Sequence, residues 1–415
     1  MIPISKIIPF FILLLSTVFS LACTTISAPS LAERKTAADL SMAMLQRSDF
    51  TDAATEADRV LTADAGNPYA ALVKAIAQYK ATMHQFFLDG RTLVIGTAVT
   101  RSINQQYLQT MLERTEAELT EVQRLLAVAA REPEVSMELC VACMNVDWNQ
   151  DGRVTPQDSI LFEVEVDENN RSIQRDDPRR KPTFRIDYGD VIWAQAFVSF
   201  HLAALNVLTA YDFSEITANF NPKEVTTATL KLIHPEKIAL AQRQLLDGLA
   251  FSLASREAYL KETDDDREWL PSPTQKNHPI PLEVTEEFYT TWKLVATDLQ
   301  RIVSGEEAFS VTELAQLGDH QWNEPPRGYI NIGKLFSNAK DITIDLEQLE
   351  YNLDELEDAE TAVRVEQLLE ELLGFCYVKH AKPTPLLSRI DRMKSEVEMG
   401  QESIERKLKY LFWVN

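Results

Sequence analysis

Asp190-Val-Ile-Trp-Ala-Gln-Ala-Phe-Val-Ser-Phe-His-Leu-Ala-Ala-Leu-Asn-Val-Leu-Thr-Ala-Tyr211 is the most apolar stretch of the chain beyond its amino terminus, and its reading decides the fold. A helix of this length spans a bilayer, but Gln195, His201 and Asn206 would each be costly in hydrocarbon. A helix apolar on every side and packed at the centre of a bundle accounts for the same text. Asp190 then serves as its cap, and the polar side chains are hydrogen-bonded inside. His201 reads as a satisfied core histidine, because no pattern of ligand or base partners accompanies it.

Helical text surrounds this stretch. Tyr69–Leu88 and Ile103–Arg131 precede it, the second with Leu108, Met111, Leu112, Leu119, Val122, Leu125 and Leu126 on one stripe and Pro133 as its stop. Pro235–Glu262, Leu282–Ser304 and Val311–Gln316 follow. Leu346, Leu349, Leu353 and Leu356 keep a heptad for two turns, Val363 to Leu373 continues amphipathically, and a last helix runs from Leu386 to about Phe412. Between helices, Thr263–Pro281 is a proline-rich acidic loop with Asp264, Asp265 and Asp266, read as solvated rather than as a cation site. Pro325 to Ile332 reads as a turn and a short strand. The expected fold is mainly α: a multi-helix bundle with a small β element.

That β element flanks a second informative stretch. Val135 to Cys143 carries apolar residues at alternate positions and reads as a strand, and Thr183–Asp187 reads as a short strand that pairs with it. Between them lies Asp147-Trp-Asn-Gln-Asp-Gly-Arg-Val-Thr-Pro-Gln-Asp158. Asp147, Asn149 and Asp151 alternate, Gly152 permits a sharp turn, and Asp158 closes the twelve. Six to eight oxygens around a hard cation need such a wrap. The dodecamer resembles the calcium loop of EF-hand and dockerin modules. The resemblance implies Ca2+ held by Asp147, Asn149 and Asp151, by the Arg153 carbonyl, by a water at Thr155 and by Asp158. The rival reading is an Asp- and Asn-rich surface turn without metal. Thr155-Pro156-Gln157-Asp158 adds a helix start, with threonine as cap and proline next. No second loop copy follows.

At the amino terminus, Lys6 precedes an apolar run from Ile7 to Leu15, and Ser20-Leu21-Ala22 leads to Cys23. This reads as a secretory signal over residues 1–22. Ser-Leu-Ala-Cys resembles a bacterial lipobox, which implies lipidation of Cys23 and an outer-membrane anchor; plain signal-peptidase cleavage is the alternative. Residues 23–36 read as a tether. From Ala37 to Pro68 the text resembles one tetratricopeptide unit, which implies an antiparallel helix pair. The resulting layout is helices over 37–133, a strand, calcium-loop and strand insert over 134–187, and a helical body over 188–415 continuous with the first.

The formal charge is −22, and removing Lys6 with the signal makes it −23. Such an acidic body repels nucleic acid. Cys140-Val-Ala-Cys143 has the spacing of a redox or zinc motif, yet zinc lacks two further ligands nearby. Residues three apart on a strand face opposite ways, so buried free thiols are favoured, with a bridge from one of them to Cys376 as the alternative. The hydrolase, metalloprotease, phosphate-loop and dinucleotide patterns are absent, and glycines number only 12. The expected function is a calcium-binding envelope lipoprotein, non-enzymatic, with a structural role or one of binding a protein partner in the envelope. The alternative is a carbohydrate-active envelope hydrolase built from scattered carboxylates.

Overall fold

The computed structural model describes residues 29–100, 103–147, 152–155, 163–167, 171–215, 227–279, 284–316, 325–345, 374 and 376–389. The chain opens with α1 (Leu31–Gln46) and α2 (Phe50–Ala63), an antiparallel pair, followed by α3 (Pro68–Thr100) and α4 (Gln105–Ala129). Strand β1 (Met137–Leu139) and β2 (Phe184–Ile186) then lead into α5 (Tyr188–Ala210). Beyond it come β3 (Tyr211–Asp212), β4 (Thr227–Leu232), α6 (Pro235–Tyr259), α7 (Glu286–Ser304), β5 (Phe309–Ser310), α8 (Val311–Gln316), β6 (Tyr329–Ile330), α9 (Gly333–Ser337), β7 (Ile342–Asp345) and β8 (Tyr377–Val378). The protein is mainly α, with small antiparallel sheets ordered β1-β2, β3-β4-β7 and β5-β6-β8.

Helix α5 is the axle of the bundle. It packs along α4 on one side and α6 on the other, and Val191, Ala196, Val198, Leu202 and Leu205 are all buried. One apolar cluster runs without a break from Ala38 in α1 through Leu119 and Leu125 in α4 and Phe184 in β2 to Tyr289 in α7. Asn206 and His201 of α5 find hydrogen-bond partners inside the bundle, whereas Asn206 Oδ1 and Trp193 Nε1 are buried without one among the described residues. Asn206 Nδ2 donates to the Leu202 carbonyl at 2.9 Å and to Gln244 at 3.0 Å. His201 Nδ1 lies 2.9 Å from the Phe197 carbonyl, with the Phe197 ring centroid 4.4 Å away. At the far end of the helix a polar clip ties three helices together. Glu116 of α4 accepts from Lys237 Nζ of α6 at 2.7 Å and from Thr209 Oγ1 of α5 at 3.2 Å, and Lys237 also reaches Thr209 at 2.9 Å.

Strands β1 and β2 pair antiparallel, with Met137 opposite Ile186 and Leu139 opposite Phe184. The pairing expected between these two stretches is present.

Four readings are corrected. The cap of α5 is Asp187 rather than Asp190: the Asp187 carboxylate accepts from Gly189 N at 2.9 Å, and Asp190, three residues on, returns a bond to Asp187 N at 3.0 Å. The two acids form a reciprocal capping box, which moves the helix start upstream. Second, the first helix begins at Leu31, inside the stretch read as a tether, because Ser30 and Glu33 form another such box. Third, Cys140 and Cys143 are not free thiols but a disulfide with Cα atoms 5.2 Å apart. The strand ends at Leu139 and Val141–Cys143 is a turn of 3-10 helix, in which residues three apart eclipse rather than oppose. Cys376 is free and buried, so it takes no part in a bridge. Fourth, the loop after α6 is solvated only in part: Asp265 and Asp266 are exposed as expected, but Trp269 and Leu270 are buried against the body. The heptad at 346–356, the helix at 363–373 and the chain beyond Arg389 lie outside the described residues.

Candidate functional site: a carboxylate nest at the start of the core helix

Three elements meet at the amino-terminal end of α5. Strand β2 delivers Arg185, the cap and first turn of α5 deliver Asp187 and Asp190, and the end of α6 with the loop behind it delivers Tyr259, Glu262, Asp264 and Glu268. The loop is fastened to the strand edge: Arg185 N donates to the Arg267 carbonyl at 3.1 Å, and Arg185 and Glu268 form a parallel bridge. Arg185 also pairs with Asp264, and with Asp266 at 3.2 Å. Asp265 accepts from the backbone of Lys276 at 2.8 Å and of Asn277 at 2.7 Å, which closes the loop on itself. These bonds hold Glu268 inward, 2 % exposed.

The result is a nest in which one carboxylate oxygen each from Asp187, Glu262 and Glu268 lie within 4.8 Å of one another. Asp190 sits beside them, its Oδ1 accepting from Tyr259 Oη at 2.7 Å. Close packing at Gly189 makes this approach possible. A Cβ there would stand 2.7 Å from the Tyr259 ring and 3.1 Å from Glu262 Oε1, so only glycine lets α6 come this near. One oxygen of Glu262, Oε2, is buried without a hydrogen-bond partner among the described residues.

Burial and mutual repulsion set the protonation of the nest. Desolvation is the first cause for each acid, and the neighbouring carboxylates add to it. Glu262 is pushed up to about 9 by burial and then by Asp187, Asp190 and Glu268. Glu268 is pushed up to about 7, again chiefly by burial, with the backbone bond from Asp266 pulling the other way. Asp190 is raised well above the usual carboxylate range by desolvation and by Asp187, and Asp187 is raised by desolvation against the pull of its cap bond from Gly189. Burial and the Asp190 carboxylate likewise raise Tyr259. The positive end of the α5 dipole faces the group but falls short of balancing four acids.

The nest borders an open cleft of about 690 Å³ whose wall includes Glu134, Ser136, Arg185, Asp187, Lys261 and Glu262. Chemically the arrangement has two uses. It can hold a hard cation, since three oxygens at this spacing match the reach of an ion with oxygen ligands 2.3 to 2.6 Å away. It can also keep a carboxylic acid protonated at neutral pH beside an ionised one.

The twelve-residue loop expected to bind calcium is described in part. Asp147 Oδ2 accepts from Gly152 N at 2.8 Å, and Gly152 has φ +80°, the left-handed turn that favours glycine there. The Asp147 carbonyl lies 3.0 Å from His84 Nε2. Arg153 and Val154 are exposed. Asn149, Asp151 and Asp158 lie outside the described residues, as does Cys23.

Of the nest, the sequence marks only Asp190, as a cap, and Asp264–Asp266, as a solvated acidic run. Asp187 appeared only as a strand end and Glu262 only as a helix end. Glu268 was not marked. The Asp187-x-x-Asp190 spacing of a capping box was the one local signal, and it pointed to a helix start rather than a ligand set.

No protein-family profile, curated protein or solved structure matches this chain.

Proposed function

We propose that the protein is a cation-binding protein, with calcium as the ion, in which the Asp187–Glu262–Glu268 nest clamps the loop behind α6 onto the core helix. The observation that carries this reading is the convergence of three carboxylate oxygens within 4.8 Å, with Arg185 on the adjoining strand already engaged by Asp264 and Asp266. Four acids crowded together either hold protons or hold a metal, and an all-oxygen donor set selects a hard divalent ion. The loop at Asp147 is a second calcium position in the same reading, supported by its ligand spacing and by the Gly152 turn. The role is structural or partner-binding, with the ion stabilising the native state because the unfolded chain does not assemble the site. The amino-terminal signal and Cys23 support an exported, lipid-anchored setting, in the outer membrane, where calcium is plentiful.

Calorimetric titration of the chelator-treated protein with calcium tests the reading. Wild type is expected to bind with proton release, because Glu262 enters the complex protonated at pH 7. Glu262→Gln is expected to weaken the nest by more than tenfold, and Asp147→Asn to remove only the loop event. Absence of calcium heat in wild type, or identical binding by Glu262→Gln, overturns the nest.

The enzyme reading retains one supporting observation: Glu262, protonated at neutral pH, stands on the cleft wall beside Asp187. Hydrolysis of glycan or ester substrates that is lost in Glu262→Gln and insensitive to chelators would favour it.

A further inference from the structure

The 3-10 turn Val141–Cys143 closes a disulfide that the cation reading does not use. Such a bridge joins residues only three apart. It restricts the unfolded chain far less than a bridge closing a long loop, so stapling is a weak reason for it. Its surroundings suit chemistry better. Cys143 is exposed, whereas Cys140 is half-buried with its Sγ 3.5 Å from the Lys181 carbonyl.

The turn is also held by bonds that do not involve sulfur. Cys143 N donates to the Cys140 carbonyl at 3.0 Å and Met144 N to the Val141 carbonyl at 3.1 Å. Ser48, in the corner between α1 and α2, clasps the far side: its Oγ donates to the Cys143 carbonyl at 3.0 Å and accepts from Asn145 N at 3.0 Å. Ser48 has φ +66°, a left-handed conformation that a non-glycine residue rarely holds unless its surroundings impose it. Opening the disulfide therefore leaves the turn in place. A reduced Cys140 finds the Lys181 carbonyl as a ready acceptor, a reduced Cys143 faces water, and the two remain close enough to rejoin.

We propose that Cys140–Cys143 is a redox-active disulfide that exchanges with a dithiol reductant. A thiolate of the reductant attacks the exposed Cys143 Sγ, the bond between the two protein sulfurs breaks, and its electron pair leaves on Cys140 Sγ, which takes up a proton. The second thiol of the reductant then attacks the mixed disulfide and frees Cys143, which is protonated in turn. Two electrons and two protons pass to the protein, and the dithiol becomes a disulfide.

The test equilibrates the full chain in oxidised and reduced dithiothreitol mixtures under native conditions, followed by alkylation and peptide mapping. Cys140 and Cys143 are expected to label together at one defined potential, with Cys376 unlabelled and helical circular dichroism unchanged. Labelling only after denaturant, or loss of helicity in step with labelling, overturns the proposal and makes the bridge a staple. Cys140→Ser with Cys143→Ser gives an independent check. It is expected to keep the wild-type melting temperature, and a marked drop counts against exchange chemistry.

Discussion

Replacing Glu262 by glutamine isolates the electrostatics of the nest, because the amide keeps the shape and cannot ionise. In the folded protein Glu262 holds its proton up to about 9, whereas the unfolded chain releases it near 4.3. The native state thus binds a proton that the unfolded state gives up. The stability this contributes is complete below about pH 4 and declines with rising pH until about 9. By pH 7 the unscreened loss is about 3 to 4 kcal/mol, taking roughly 1.36 kcal/mol for each pH unit. Glu262 keeps part of its surface in water, and screening reduces the loss to about 1 to 2 kcal/mol. Without calcium, Glu262→Gln is therefore expected to match wild type at pH 5 and to melt roughly 1 to 3 °C higher at pH 8. With millimolar calcium the order reverses, because only wild type offers the charged ligand. Scanning calorimetry at pH 5, 6.5 and 8, with EGTA or calcium, reads all six conditions. A wild-type-to-variant difference that stays constant across pH refutes the reasoning.

Three further outcomes follow from the packing. Asp187→Asn keeps an acceptor for Gly189 N, and asparagine caps helices as well as aspartate. At pH 5, where the nest holds its protons, apo stability should therefore change by no more than about 0.5 kcal/mol while the calcium-dependent rise in melting temperature disappears; a full calcium response in this variant argues against Asp187 as a ligand. Gly189→Ala drives a methyl into the Tyr259 ring and should cost about 1 to 3 kcal/mol in urea unfolding. A midpoint equal to wild type means that α6 can retreat at no cost. Phe184→Ala empties a fully buried site in β2, with an expected loss of about 3 to 5 kcal/mol, and a value below 1 kcal/mol contradicts the continuous core.

The helical frame was readable because its signals are local. Val311–Gln316 was bounded correctly from its sequence, and the α5 stretch was placed at the centre of the bundle by apolar residues on all sides. The β1–β2 pairing followed from two short alternating runs. The nest was not readable, because Glu262 and Glu268 arrive about seventy-five to eighty residues after Asp187 and no period in the chain links them. The disulfide was missed for a smaller reason. The alternation of Val135 to Cys143 continues two residues past the point where the backbone turns into 3-10 geometry. Asp265 and Asp266 stay exposed as the acidic run implies, and what its text does not show is that Arg185 on the neighbouring strand pairs with Asp264 and Asp266.

The core helix is moored at both ends, by the Asp187–Asp190–Tyr259 contacts at one and the Glu116–Thr209–Lys237 clip at the other. A piston stroke of a single turn, about 5.4 Å, would tear both moorings at once. The central rod is thus an anchored beam, and the loop over 263–279, tied to the strand beside it through Arg185, braces that beam rather than moving against it.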